Sequence, residues 1–130
     1  MKVLIDSSAW IHFLRPDGDE AVRDRVRSAL LTGQACWCPI VRLELWNGAR
    51  GDKEKQVLKE FEADLIELPL PAEVWELAFD KARRARASGL TVPATDILIA
   101  ACASFHGVGL EHADGDFDRL AAIDIAAGHQ

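Results

Sequence analysis

The chain has 130 residues, enough for one domain with a real core, and its 49% hydrophobic and 28% charged content is that of a soluble globular protein. No apolar run approaches the roughly 20 residues a membrane span needs, and the N-terminus lacks a signal-peptide pattern, so a cytoplasmic protein is expected. With 15 basic against 21 acidic side chains, bulk charge argues against binding a phosphate backbone, but not against recruiting a phosphate through a bound cation.

The chain opens with Val3-Leu4-Ile5, a short apolar run that reads as a strand buried on both faces, as in parallel sheets covered by helices. It stops at Asp6-Ser7-Ser8, where either serine can cap the helix running from Ala9 to Leu14. A loop over Arg15-Pro16-Asp17-Gly18 leads to an amphipathic helix from Asp19 to Leu31, with Val22, Val26 and Leu30 on one face. Ala35–Cys38 is a second strand, and Pro39 suits the first position of a helix reaching Trp46 or Asn47. Asp52 is placed to cap a fourth helix, followed by a strand at Ile66–Leu68. The pattern then gives a helix over Pro71–Ala87 with Trp75, Ala78, Phe79 and Ala82 inward, and a loop over Leu90–Ala94. Next come a helix over Thr95–Phe105 and a strand over Val108–His112. A short helix over Phe117–Ala122, an edge strand at Ile123–Ile125 and a frayed tail from Ala126 complete the reading. Strands alternating with helices imply crossover connections and a parallel sheet. The fold class is therefore α/β, in one domain spanning residues 1–130.

Three cysteines, Cys36, Cys38 and Cys102, fit a reducing compartment better than a disulfide framework. One residue separates Cys36 from Cys38, too close for a zinc knuckle, so burial is the expected role.

Four groups of carboxylates stand out. Asp96 is the only charged side chain between Ala87 and Phe105, and it opens a helix apolar on every face. A first-turn Asp is favoured by the helix dipole, yet Thr95 can do the capping, and a charge entering a buried helix needs a partner. Glu44 lies one turn from Ile40 and Val41, on the apolar side of its helix. Asp6 and Asp114 each follow a strand, at the carboxyl end where open α/β sheets bind ligands. Each also has a structural alternative: a cap for Asp6, an Asp-Gly turn for Asp114, a solvated face for Glu44, and a cap for Asp116 or Asp118. Gathered in one cavity they would repel one another, and a divalent cation would relieve the repulsion. All-oxygen ligation selects Mg²⁺ or Mn²⁺ over zinc, and Mg²⁺ binds phosphate while keeping several waters.

These stretches resemble a PIN domain, and within that family the VapC toxins of bacterial toxin–antitoxin pairs. The matching segments are Val3–Ile11, Val41–Leu45, Pro93–Ala101 and His112–Phe117, in order and spaced over nearly the whole chain. The resemblance implies a three-layer fold with a five-stranded parallel sheet of order 3-2-1-4-5, a Mg²⁺- or Mn²⁺-dependent endoribonuclease, inhibition by a VapB antitoxin, and a homodimer. Position by position, Asp6, Glu44, Asp96 and Asp114 match the acidic metal-site residues. Asp116 matches a further acidic position of secondary weight, and Ser8 a small hydroxyl residue that contacts water or substrate. Ala113 stands where many relatives carry Asn, so one substrate contact is missing.

The expected chemistry is attack of a metal-activated water on an RNA phosphodiester, with Asp6 and Asp96 holding the principal ion and Glu44 and Asp114 orienting water, assisting its deprotonation or helping to hold a second ion. The resemblance implies products with a 3′-hydroxyl and a 5′-phosphate. His12 and His112 are not needed and are expected to be satisfied or solvent-facing. Lys81, Arg83, Arg84 and Arg86 form one basic cluster, either a solvated face or a track for an RNA backbone. Trp10, Phe13 and Trp46 either pack in the core or line a groove for an antitoxin helix. A PIN-like module that binds RNA or protein without cutting is the alternative from another class. A phosphatase is disfavoured because no second Asp stands two residues after Asp6. A phospho-receiver is disfavoured for want of a strand-end acceptor with a matching Lys.

Overall fold

A computed structural model describes residues 1–126 of the chain. The elements run β1 (Val3–Ile5), α1 (Ser7–Leu14), α2 (Glu20–Leu31), β2 (Ala35–Trp37), α3 (Pro39–Asn47), α4 (Gly51–Asp64), β3 (Ile66–Glu67), α5 (Ala72–Ala87), α6 (Ala94–His106), β4 (Gly109–Glu111) and α7 (Gly115–Ala126). The expected fraying beyond Ala126 lies outside the described residues.

The sheet is parallel throughout, in the order β3-β2-β1-β4. Leu4 of the central strand pairs with Cys36 on one side and Leu110 on the other. Leu4, Ile5 and Cys36 are fully buried, as a strand covered on both faces requires. The α/β expectation therefore holds, with four strands among the described residues where five were expected. Ile123-Asp124-Ile125 is the last turn of α7 rather than an edge strand. Helical spacing prevails there because Phe117 and Leu120 bury one face, while Asp124 on the same side meets Lys81 and Arg84 of α5.

Several caps differ from those the sequence suggested. Asp6, not a serine, caps α1, accepting from the Ser8 amide at 3.0 Å. α4 is capped at Arg50, whose amide donates to Glu54 at 3.0 Å, and Asp52 lies in its first turn. α6 starts after Pro93 with no side-chain cap, so Thr95 does not serve as one. Gly107 ends α6 at φ +65°, a left-handed value that glycine adopts without a Cβ penalty.

α6 lies at the centre of the helical layer, with Ile97, Leu98, Ile99, Ala101, Cys102 and Ala103 buried. The face of α5 that packs inward is Val74, Ala78, Lys81 and Ala85, so Trp75 and Phe79 are 42% and 49% exposed rather than inward. Small residues let two helices approach closely, and the aromatic rings are displaced to the flank. With Ile40, Ile97 and Leu98 they line an open apolar groove of about 280 Å³. Trp10 is fully buried against Phe61 and Phe13, and Trp46 and Phe13 pack on the core, so the core reading of these aromatics holds. All three cysteines are free and buried. No helix among the described residues is long and apolar enough to cross a membrane.

Candidate metal centre

The parallel pairing of β1 with β4 sets Ile5 beside Glu111, and the Asp6 amide donates to the Glu111 carbonyl at 2.9 Å. Asp6 and the loop after β4 are thereby held at the same sheet edge. Ser8 fastens them together: its hydroxyl donates to Asp6 Oδ2 at 2.6 Å and accepts from the Ala113 amide at 3.0 Å. In the next turn of that loop, Asp114 Oδ1 accepts from the Asp116 amide at 2.9 Å, and the Asp114 amide donates to His112 Nδ1 at 3.4 Å.

α6 brings Asp96 to the same place. Asp96 is 7% exposed, and one oxygen each of Asp96, Asp114 and Asp116 lies within 4.8 Å of the others. The Asp96 carboxyl is raised from its ordinary 3.8 to about 7. Loss of water is the chief cause; a hydrogen bond with Asp114 and repulsion from Asp114, Asp6 and Glu44 add to it. Glu44 joins from α3, half-buried, accepting from the Ser7 hydroxyl at 3.1 Å. Burial raises its pKa, the Ser7 hydrogen bond opposes the rise, and Asp6 adds repulsion.

Of the four acidic residues expected to converge, Asp96 and Asp114 come together with Asp116, while Asp6 and Glu44 stand outside that trio and act on Asp96 through their charge. Among the described residues, Asp6 Oδ1 and Asp96 Oδ2 are buried with no hydrogen-bond partner. Two orphaned carboxylate oxygens in a nest of acids are what a hard divalent cation relieves, so the donor set fits such an ion. Oxygen donors alone disfavour zinc.

Some contacts were not legible from the sequence. Ser7, read there only as a cap, holds Glu44. His112, expected to be uninvolved, meets the Asp114 amide, and Arg119 pairs with Asp116. The three-residue interval from Asp116 to Arg119 within a helix is the one signal that could have found the last of these. His12 is satisfied, accepting from the Asp19 amide at 2.9 Å. The basic cluster divides: Lys81 and Arg84 are tied to Asp124 at 2.7 and 2.6 Å, which leaves Arg83 and Arg86 facing solvent.

The fold recurs in known proteins. The PIN domain model matches residues 3–123. The chain is 34% identical over 127 residues to Ribonuclease VapC18 of Mycobacterium tuberculosis, covering 95% of this chain and 90% of that one. It is 32% identical over 125 residues to Ribonuclease VapC21 of the same species, covering 94% and 88%. VapBC-5 of Mycobacterium tuberculosis, described as a member of the VapBC family of toxin-antitoxin systems, superposes with a TM-score of 0.67 at 23% identity, covering 99% of this chain and 94% of that chain. The chain belongs to the PIN-domain family, in its VapC group.

Proposed function

We propose that the chain is the toxin of a type II toxin–antitoxin pair: a cytoplasmic, Mg²⁺-dependent endoribonuclease, with Mn²⁺ able to substitute, inhibited by a VapB-type antitoxin. The observation that carries this reading is Asp96, a carboxyl buried at the mouth of an apolar helix, unpartnered at Oδ2 and crowded by Asp114 and Asp116. The ribonuclease names of the relatives and the toxin–antitoxin description of the structural neighbour support the activity class and the partner.

A bound divalent ion would supply Lewis-acid activation of water and neutralise charge growing on the phosphate oxygens. Asp6 and Asp96 would hold it, each presenting a buried free oxygen. Glu44 and Asp114 would orient the attacking water and receive its proton, leaving a 3′-hydroxyl and a 5′-phosphate. Glu44 suits that role, since burial raises its proton affinity while Ser7 fixes one oxygen. Ser8 keeps Asp6 in register with the β4 loop, and Asp116 completes the acidic rim.

The test is cleavage of total RNA by the purified chain in Mg²⁺ and in EDTA, beside Asp6→Asn and Asp96→Asn. Cleavage present in Mg²⁺, absent in EDTA and lost in both variants is expected. Cleavage that persists in EDTA would overturn the metal mechanism. Metal-dependent RNA binding without cleavage by the wild type would favour the silent binding module instead.

A further inference from the structure

Arg119 lies on α7, one turn beyond Asp116, and its Nη2 pairs with Asp116 Oδ1. Its Nη1 stands 3.7 Å from where a Cβ on Gly115 would be, so the guanidinium lies over the first turn of α7 at the edge of the acidic centre. The side chain is 57% exposed. Among the described residues, it is the only arginine or lysine in an ion pair with Asp6, Glu44, Asp96, Asp114 or Asp116. An exposed pair three residues apart on a helix contributes well under about 1 kcal/mol, so it is easily exchanged and is a weak reason to place a cation there. A guanidinium has five donors in a planar fork that matches phosphate oxygens, and Asp116 engages one edge of it.

We infer that Arg119 is a substrate-binding residue that takes a non-bridging phosphate oxygen of the RNA beside the metal centre. This rests on the ribonuclease reading above. A protein of net charge −6 that gathers five carboxylates at one rim repels a polyanion. A divalent ion at those carboxylates weakens their hold on the guanidinium, which is then free to turn toward the incoming phosphate.

The test is fluorescence anisotropy of a fluorescein-labelled 20-nucleotide oligouridylate, with Ca²⁺ in place of Mg²⁺ to slow cleavage, over a range of salt. Wild type, Arg119→Ala and Arg119→Lys are compared, and Mn²⁺ affinity is measured by calorimetry on each without RNA. For Arg119→Ala, Kd should rise about tenfold, as loss of a charge-assisted hydrogen bond implies. The slope of log K against log salt should shrink by about 0.7, one phosphate's worth on a single strand. Arg119→Lys should keep the slope and recover part of the affinity. Mn²⁺ affinity should be equal or tighter in Arg119→Ala, since the variant loses no carboxylate and one competing cation. An unchanged Kd and slope would overturn the proposal alone, as would weakened Mn²⁺ binding, which would make Arg119 a support for Asp116. A wild type that neither binds nor cuts RNA would overturn the ribonuclease reading and this proposal together.

Discussion

Asp96 carries the electrostatic tension of the molecule in one side chain. Folding raises its pKa from 3.8 to about 7, so the folded chain holds this proton more tightly than the unfolded chain does. The stability this contributes is complete below the ordinary carboxyl range and is lost as pH rises through about 7, where a bare charge is left among other acids. Replacing it with an amide removes that loss and gives Asp114 a donor without a shared proton. In EDTA at pH 8, Asp96→Asn should therefore be more stable than the wild type by about 1–3 kcal/mol, a gap that closes toward pH 5. Urea unfolding of both chains at the two pH values checks this; a gap independent of pH would refute it. Asp96 was legible in the sequence because a lone charge in a wholly apolar helix is chemically anomalous. Ser7 was not, because a hydroxyl at a helix start always has a local explanation, and its partner Glu44 is 37 residues away.

At the scale of elements, α7 shows what local pattern leaves out. Ile123-Asp124-Ile125 alternates like a strand, and nothing nearby contradicts it. The deciding partners are Lys81 and Arg84, about 40 residues upstream, whose charges Asp124 meets between α5 and α7. The same pairing turns half of the apparent basic cluster into internal support. Lys81 is only 5% exposed, so removing Asp124 strands a buried ammonium, for which a cost of about 3–5 kcal/mol is the usual scale. Asp124→Ala should lower the urea midpoint accordingly and weaken Mn²⁺ binding, because α7 also carries Asp116 into the centre. The double variant Lys81→Met with Asp124→Leu should recover most of the stability, since it leaves no buried ammonium and Arg84 keeps Asp80 at 3.0 Å. If the single and double variants unfold alike, the ion pair is not what holds α7. Trp75 and Phe79 were misjudged for a related reason: their spacing fits an inward face, but the close approach of α5 to the core selects Ala78 and Ala85.

Across the whole molecule, acids from four distant stretches are brought to one end of the sheet by β1 and β4, with α3 and α6 alongside. The parallel sheet was legible from the alternation of strands and helices, and the strand ends suggested a shared rim; the strand order and the matching of each acid to a metal site came from the family resemblance, because spacing alone does not say which loops meet. Such a centre makes folding and ion binding one linked equilibrium. An ion that binds only the folded chain stabilises it by RT ln(1 + [L]/Kd), about 2.7 kcal/mol at a hundredfold excess over Kd, or roughly 5–10 °C for a chain of this length. On the proposed ligation by Asp96 the ion must displace the proton there, so the sign of the pH dependence is fixed. Below about pH 7 the proton competes and the stabilisation shrinks; above it the carboxylate is already bare and the gain is largest. Thermal melts with and without Mn²⁺ should therefore differ little at pH 5.5 and by several degrees at pH 8, with EDTA reversing the shift. Asp96→Asn should flatten the response at both pH values. A metal-induced shift that is equal at pH 5.5 and 8 would separate ion binding from Asp96 ionisation, and the buried acid would then be a structural group rather than a ligand.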